Sequence, residues 1–324
     1  MRQRGNSAVI DWSSWLFDGL LAVGLLLLAW LTVISADLFR AILFFIAFGL
    51  FMALCWARLA APDVALAEAA IGAGISGALL LDAYRVLSAP TLAAAPALSR
   101  LPGLLALLLG GVTGALSWAF WRLPSPVPAL DELVQARLAD SGVSNPVTAV
   151  LLNFRGYDTL LEAAVLLLAL VGVWITNRQT PAPLESIPVG VTDSPLVDTL
   201  VHLVTPLAVL SGAYLLWAGA HQPGGAFQAG SVLAGAGALL LLSDRLRPTA
   251  TPQALLILGL ILGLVIFCGI ALGVMADGSP LLHYPPAHAG LLILVIETAL
   301  TISIALTLLL LVSGAAGLRW GRRW

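Results

Sequence analysis

The chain has 324 residues, a formal net charge of −2, 60% hydrophobic residues and only 10% charged ones, with a mean hydropathy of +1.00. Soluble domains carry roughly 25% charged residues, so a water-soluble core is excluded as the place for this much apolar sequence, and the near-neutral balance gives no reason to expect nucleic acid as a partner. All 15 basic residues are Arg and none is Lys.

A bilayer-spanning helix needs ~20 mostly apolar residues. Nine stretches qualify in chain order: 19–35, 38–58, 64–86, 101–121, 159–177, 199–219, 227–243, 253–274 and 289–312. Backbone groups in hydrocarbon must be satisfied internally, and the apolar runs are continuous rather than alternating, so helices are expected and a β-barrel is not. The predicted fold class is all-α, a polytopic integral membrane protein with about nine transmembrane helices. The first run has no small-residue cleavage site behind it and is expected to stay as a helix. Asp37 is expected to cap the second span, and Pro62-Asp63 to open the third with Asp63 as its cap. Thr159 and Glu162 have the spacing of a capping box at the fifth span, and Ser194-Pro195 that of a cap at the sixth. Between the fourth and fifth spans, Pro124, Pro126 and Pro128 precede a mixed stretch, Asp131 to Leu152, expected to form an amphipathic interfacial helix. Residues 178–197 hold four prolines and read as a linker. Cys55 and Cys268 lie in apolar runs without metal or disulfide spacing and are expected to be buried small hydrophobes. Nine spans put the termini on opposite sides; the N-terminal side carries 6 Arg and the other 9, which places the C-terminus in the cytoplasm.

Ionisable groups inside a membrane are costly and are functional candidates by default. Glu297 stands about eight residues into the last span, ~12 Å deep, with Thr301 one turn along its face; it reads either as a protonatable relay or cation ligand, or as a structural acid bonded to a neighbouring helix. Glu68 lies near the start of the third span with Gly72 and Ser76 continuing its face, beside a small-residue stripe, Ala69, Ala73 and Gly77, that lets helices pack closely. Either it acts on ions or it is a carboxylate at a helix end. Asn153 to Glu162 is the densest polar cluster. Arg155 there has Asp158 and Glu162 as possible partners, in a local salt bridge or as part of an ion entry. Asp198 and His202 are four apart at the start of the sixth span, where a His beside a carboxylate can titrate near neutral pH or simply form a helix-face pair. His221, Pro223, Gly224, Gly225, Phe227 and Gln228 form a Pro- and Gly-rich turn between spans six and seven, either an aqueous mouth or a plain helical hairpin. His283 and His288 flank two prolines without the spacing of a metal site. No cofactor is expected, and no nucleotide-binding or hydrolase motif is present.

Three stretches, taken in order, resemble known membrane modules. The sequence from Asp37 to Asp82, with APDVALAEAAIGAGISGALL, resembles the three-helix domain of energy-converting membrane-bound hydrogenases that also ends the large A subunit of Mrp-type sodium/proton antiporters. Leu101 to Thr176, with NFRGYDTLLE, resembles the two-helix domain that follows it in both systems. Leu196 to Val312, with SGAYLLWAGAHQPGGAFQAGSVLAGAG, resembles the four-helix B subunit of Mrp antiporters. The sequence departs from these patterns at Ala67, where Thr is expected, and at Ala226 and Ala229, where Gly is expected. The resemblance implies an MbhD-like domain over 1–95, an MbhE-like domain over 96–180, a linker over 181–198 and an MnhB/MrpB-like domain over 199–324. It also places Asp63, Glu68, Arg155, Asp158, Glu162 and the His221–Gln228 turn in matching motifs.

The resemblance further implies a non-enzymatic subunit of a monovalent cation (Na+)/proton antiporter complex in a bacterial or archaeal cell membrane. Its implied partners are large antiporter-like subunits and a small C-type subunit. Pumping subunits of such complexes use Lys, which this chain lacks. The rival readings are the same module in a membrane-bound hydrogenase or related redox complex, a purely structural assembly subunit, and an independent permease.

Overall fold

The computed structural model describes residues 12–87, 101–123, 129–177, 195–243, 245–246 and 252–314, and among these the secondary structure is entirely helical. The helices are α1 (Trp12–Ile34), α2 (Leu38–Arg58), α3 (Pro62–Ala67), α4 (Ser76–Leu87), α5 (Leu101–Trp121), α6 (Ala129–Arg137), α7 (Pro146–Ala149), α8 (Gly156–Asn177), α9 (Pro195–Ala218), α10 (Ala226–Leu242), α11 (Gln253–Gly273) and α12 (Ala289–Val312). Eight helical segments among the described residues are long and apolar enough to cross a bilayer, α3 and α4 counting as one, and α10 is a shorter apolar helix of 17 residues. The protein is a multi-pass membrane protein. Ser194, the tri-proline stretch 124–128, most of the 178–197 linker and the Arg-rich C-terminal end lie outside the described residues.

Local chemistry explains the helix ends. Asp37 caps α2 by accepting from the Phe39 N–H at 2.9 Å, as a short acidic side chain does for an otherwise unsatisfied first-turn donor. The third span differs from expectation. Pro62 opens it, but Ala61 is the cap residue and Asp63 makes no cap bond. Asp63 is already inside the first turn, so its side chain is released for a partner elsewhere. Midway, eight residues (Glu68–Ile75) wind as π-helix between α3 and α4. That looser winding shifts the register of the segment, while Gly72 still lies against the Glu68 carboxylate. Part of the small stripe does face α2: a Cβ on Gly49 would lie 3.1 Å from the Ala73 Cβ, and one on Gly77 would lie 2.7 Å from Ile46 Cγ1.

The expected amphipathic helix over 131–152 is instead a broken chain of short pieces: α6, a 3-10 turn (Leu138–Ser141), α7 and a π turn (Val150–Phe154). Gly142 at φ +78° and Asn145-Pro146 interrupt it. The capping box at the fifth span also fails to form. α8 begins at Gly156, and the Thr159 hydroxyl donates to the Leu151 carbonyl at 2.6 Å.

The core centres on α12, which packs against α8, α10 and α11. Ile293, Ile296, Leu300 and Ile304 of α12 join Phe267 of α11 in the buried cluster. Lipid tails are as apolar as Leu, so close van der Waals packing rather than water exclusion holds such helices together. Glycine permits that approach: a Cβ on Gly230 of α10 would lie 2.8 Å from Ile304 Cγ2, and one on Gly263 of α11 would lie 2.9 Å from Leu300 Cδ2. By contrast, every described side chain of α5 from Leu104 onward is exposed. Cys268 is exposed on α11 and Cys55 half-buried, not buried as expected, because each falls on an outward-facing side of its helix.

Candidate functional site

The turn between α9 and α10 is built by its glycines. The Gly219 and Gly225 N–H groups both donate to the Leu215 carbonyl, at 3.1 and 2.9 Å, and the His221 and Gln222 N–H groups both donate to the Ala218 carbonyl. Gly225 has φ +113° and ψ −172°, a conformation essentially restricted to glycine. A Cβ on Gly219 would lie 2.7 Å from Gly225 Cα, so the two ends of the turn meet backbone to backbone.

Two other parts of the chain grip this turn. From one side, the Ser144 and Asn145 N–H groups donate to the Ala220 carbonyl. Asn145 Nδ2 donates to the Gln222 carbonyl at 2.9 Å, Thr148 Oγ1 donates to the Gly219 carbonyl at 2.6 Å, and Ser144 Oγ lies 2.9 Å from His221 Nδ1. From the other side, the Gly224 N–H donates to Asp63 Oδ1 at 3.1 Å and Gln228 Nε2 donates to the Asp63 backbone carbonyl at 3.3 Å. Asp63 is buried, and a carboxylate accepting a backbone N–H is a charge-assisted bond.

Glu297 approaches from α12. It is 2% exposed and lies ~12 Å along the helix from its start. The backbone N–H of Ala226, the first residue of α10, faces its carboxylate. Glycine leaves the room: a Cβ on Gly225 would lie 3.1 Å from Glu297 Oε1, and one on Gly219 would lie 3.3 Å from the same atom. Glu297 Oε2 is buried and has no hydrogen-bond partner among the described residues. Thr301 donates to the Glu297 backbone carbonyl at 2.7 Å and leaves the carboxylate alone.

The remaining candidates stand apart. Glu68 opens the π-helical segment half-buried, with its carboxylate folded over Gly72. Arg155 pairs with Asp158 rather than Glu162, at 2.6 Å, both well exposed, and such a pair contributes ~0–1 kcal/mol. Glu162 lies on the exposed side of α8. The Asp198 carboxylate bonds Arg245 rather than His202; His202 Nδ1 instead meets the Asp198 backbone carbonyl at 2.7 Å, and its Nε2 lies 3.4 Å from Arg245 Nη1. His221 is exposed, Pro223 and Phe227 are half-buried, and Gly224 is buried. No group of three or more His, Cys, Asp or Glu able to hold a metal occurs among the described residues. Tyr284, in the loop before α12, is buried with its hydroxyl unpartnered among the described residues. Burial pushes its phenol above the usual range, which keeps it a neutral donor.

Sequence reasoning missed Ser144, Asn145 and Thr148. Asn145-Pro146 signals only a local cap, which it also makes: Asn145 Oδ1 accepts from the Val147 N–H at 2.9 Å. Replacing Thr148 by Val should leave the buried Gly219 carbonyl unpaired and lower stability by about 1–3 kcal/mol; a thermal unfolding midpoint equal to that of the parent in detergent would remove the clamp from this description.

Residues 23–89 match the MbhD family model, which describes a subunit of MBH, and residues 196–318 match the model for a domain related to the MnhB subunit of Na+/H+ antiporters. No curated protein matches. Among solved structures, the Mrp complex from Dietzia sp. DQ12-45-1b matches with a TM-score of 0.75 at 21% identity, covering 98% of this chain and 36% of the chain matched. At that identity the likeness establishes the fold, and this chain spans little more than a third of its structural relative. The chain is thus a polytopic membrane protein in which one stretch is similar to the MbhD family and another to a domain related to the MnhB subunit of Na+/H+ antiporters.

Proposed function

We propose that this chain is a transport subunit, not a classical enzyme, of a multi-subunit monovalent cation (Na+)/proton antiporter complex in a bacterial or archaeal cell membrane. Large antiporter-like subunits and a small C-type subunit are its partners, and its C-terminus faces the cytoplasm. It divides into an MbhD-like part (1–95), an MbhE-like part (96–180) and, after a linker, an MnhB/MrpB-like part (199–324). The observation that carries this reading is the juxtaposition at the α9–α10 turn. A fully buried carboxylate with a free oxygen is held there by a turn that both other parts of the chain grip. A purely structural acid is expected to have both oxygens satisfied, whereas one that changes its protonation or ligand needs a vacant position.

In this reading Glu297 is the ionisable group of the MnhB-related part. Glu68 and Glu162 are candidate positions where the first two parts meet ion paths in neighbouring subunits. Glu162 is exposed on α8, and a carboxylate on the outer side of a membrane helix calls for a polar partner there. Asp63, together with Asn145 and Thr148, anchors the turn. Arg155, Asp158 and His202 belong to the ends of their helices. Complexes assembled with Glu297→Gln and assayed in everted vesicles should assemble normally and lose antiport by about tenfold or more. Unchanged exchange would leave the chain as a scaffold.

The match of residues 23–89 to an MBH family favours one second reading, the same module in a membrane-bound hydrogenase or related redox complex. Affinity purification separates the two. Recovery of redox-active metal subunits with the chain selects the second reading, and recovery of antiporter-like membrane subunits without them selects the first.

A further inference from the structure

Resting on the antiport reading, we infer that Glu297 carries the proton alone: it exchanges H+ with water through its free Oε2 and does not ligate the transported alkali cation. The oxygens around it decide the matter. A dehydrated alkali ion must have its hydration shell replaced by several oxygens, typically carbonyls, and in membrane transporters these come from unwound backbone and the C-terminal ends of half-helices. Several carbonyls of this turn already accept hydrogen bonds. Leu215 accepts from Gly219 and Gly225, Ala218 from His221 and Gln222, Gly219 from Thr148, and Ala220 from Ser144 and Asn145. What faces the Glu297 carboxylate is the N-terminal end of α10, through the Ala226 N–H. Helix N-termini favour anions and repel cations. A sodium ion at Glu297 would meet an opposing dipole and carbonyls largely engaged elsewhere; a proton needs only one oxygen.

The same geometry lets the proton leave. Ionised, the carboxylate faces the Ala226 N–H. Protonated, it carries its hydrogen on Oε2, which has no acceptor among the described residues. Water must supply that acceptor, and on transfer the O–H bond of Glu297 breaks as one to the water oxygen forms. In this inference water comes from the rim of the turn, where His221 and Gln222 are exposed. From there Gln228 leads inward: the Cβ position of Gly225 lies 3.6 Å from Gln228 Oε1 and 3.1 Å from Glu297 Oε1, so both groups border the space that glycine leaves. The other titratable groups near the turn are His221 on its rim and Asp63 behind Gly224, the latter already bonded. Of the remaining elements packed on α12, α11 brings only Cys268, which is exposed, α8 brings Asp158, paired with Arg155, and the exposed Tyr157 and Glu162, and α9 brings the exposed Tyr214 and, in its first two turns, Asp198 and His202 beside Arg245. From α4 come Asp82, exposed, and Tyr84. The segment before α7 brings Asp140, which pairs with Arg137.

Dicyclohexylcarbodiimide, which modifies protonated carboxyls in apolar surroundings, tests this on the intact complex without requiring transport. Mass spectrometry should find the adduct on Glu297, diminishing as pH rises and unaffected by saturating Na+. Protection by Na+ would make Glu297 a cation ligand, and absence of the adduct at every pH would make it a sealed structural acid; either result overturns the inference. In vesicles, Glu297→Asp should shift the pH profile of exchange and leave its half-saturating Na+ concentration within about twofold of the parent. A shifted Na+ dependence with an unmoved pH profile overturns it as well. If the parent complex shows no cation exchange, the antiport reading fails, while the carbodiimide result still decides whether Glu297 is a water-accessible proton site.

Discussion

Gly225→Ala is expected to abolish exchange and to destabilise the chain by about 1–3 kcal/mol. Two effects act together. The backbone at φ +113° and ψ −172° is one that side-chain-bearing residues scarcely adopt, and the new methyl would sit 3.1 Å from Glu297 Oε1, in the space that carboxylate shares with Gln228. Either the turn rearranges, which pulls on the Leu215 and Asp63 bonds, or Glu297 is pushed from the Ala226 N–H. The control is Gly235→Ala in the same helix. Nothing lies within 4 Å of a Cβ at Gly235, and exchanging a helix-interior Gly for Ala is favourable by up to about 1 kcal/mol. Thermal unfolding midpoints of the two variants in detergent should therefore move in opposite directions, and only Gly225→Ala should silence antiport in vesicles. If the two behave alike, the special backbone of Gly225 is not what shapes the site.

The spans were legible because continuous apolar runs of the right length admit no other structure in lipid. The α9–α10 turn was legible as a turn through Pro223, Gly224 and Gly225, and Glu297 stood out as the deepest acid in the last apolar run. That the two meet was not legible. It depends on α10 starting late, at Ala226, so that the turn lies level with a residue well inside α12 rather than at its end. Irregular backbone is tolerated at such depth when it is buried in protein, and the tethers that satisfy it come from residues 63 and 144–148, far away in sequence. Most of their partners are backbone groups, which no side-chain pattern reveals. Periodicity put Gly72 beside Glu68, but hydropathy carries no signature of the π-helical segment among alanines and glycines. Asp63 shows the limit of local rules most plainly: Pro-Asp before an apolar run has the look of a cap, and one residue of offset frees the carboxylate for a contact 161 positions away.

That contact yields the second large effect. Asp63→Ala leaves the buried Gly224 N–H without an acceptor, a loss of about 1–3 kcal/mol, and removes the side-chain tie between the turn and the third span. Asp63→Asn keeps a carbonyl oxygen in the position of Oδ1 and removes only the charge. If Asp63 is an anchor, Asn should hold the unfolding midpoint near that of the parent and retain most of the exchange, while Ala loses both. If Asp63 itself passes protons, Asn should be as inactive as Ala while remaining as stable as the parent. The backbone carbonyl of Asp63 still accepts from Gln228 in both variants, so the comparison isolates the carboxylate. A chain anchored in this way moves its third span and the Glu297 turn as one unit. A displacement of the π-helical segment that begins five residues after Asp63 would then reach the buried carboxylate through the two bonds at Asp63, and Asp63→Ala, which removes one of them, should weaken that coupling even under conditions in which the variant remains folded.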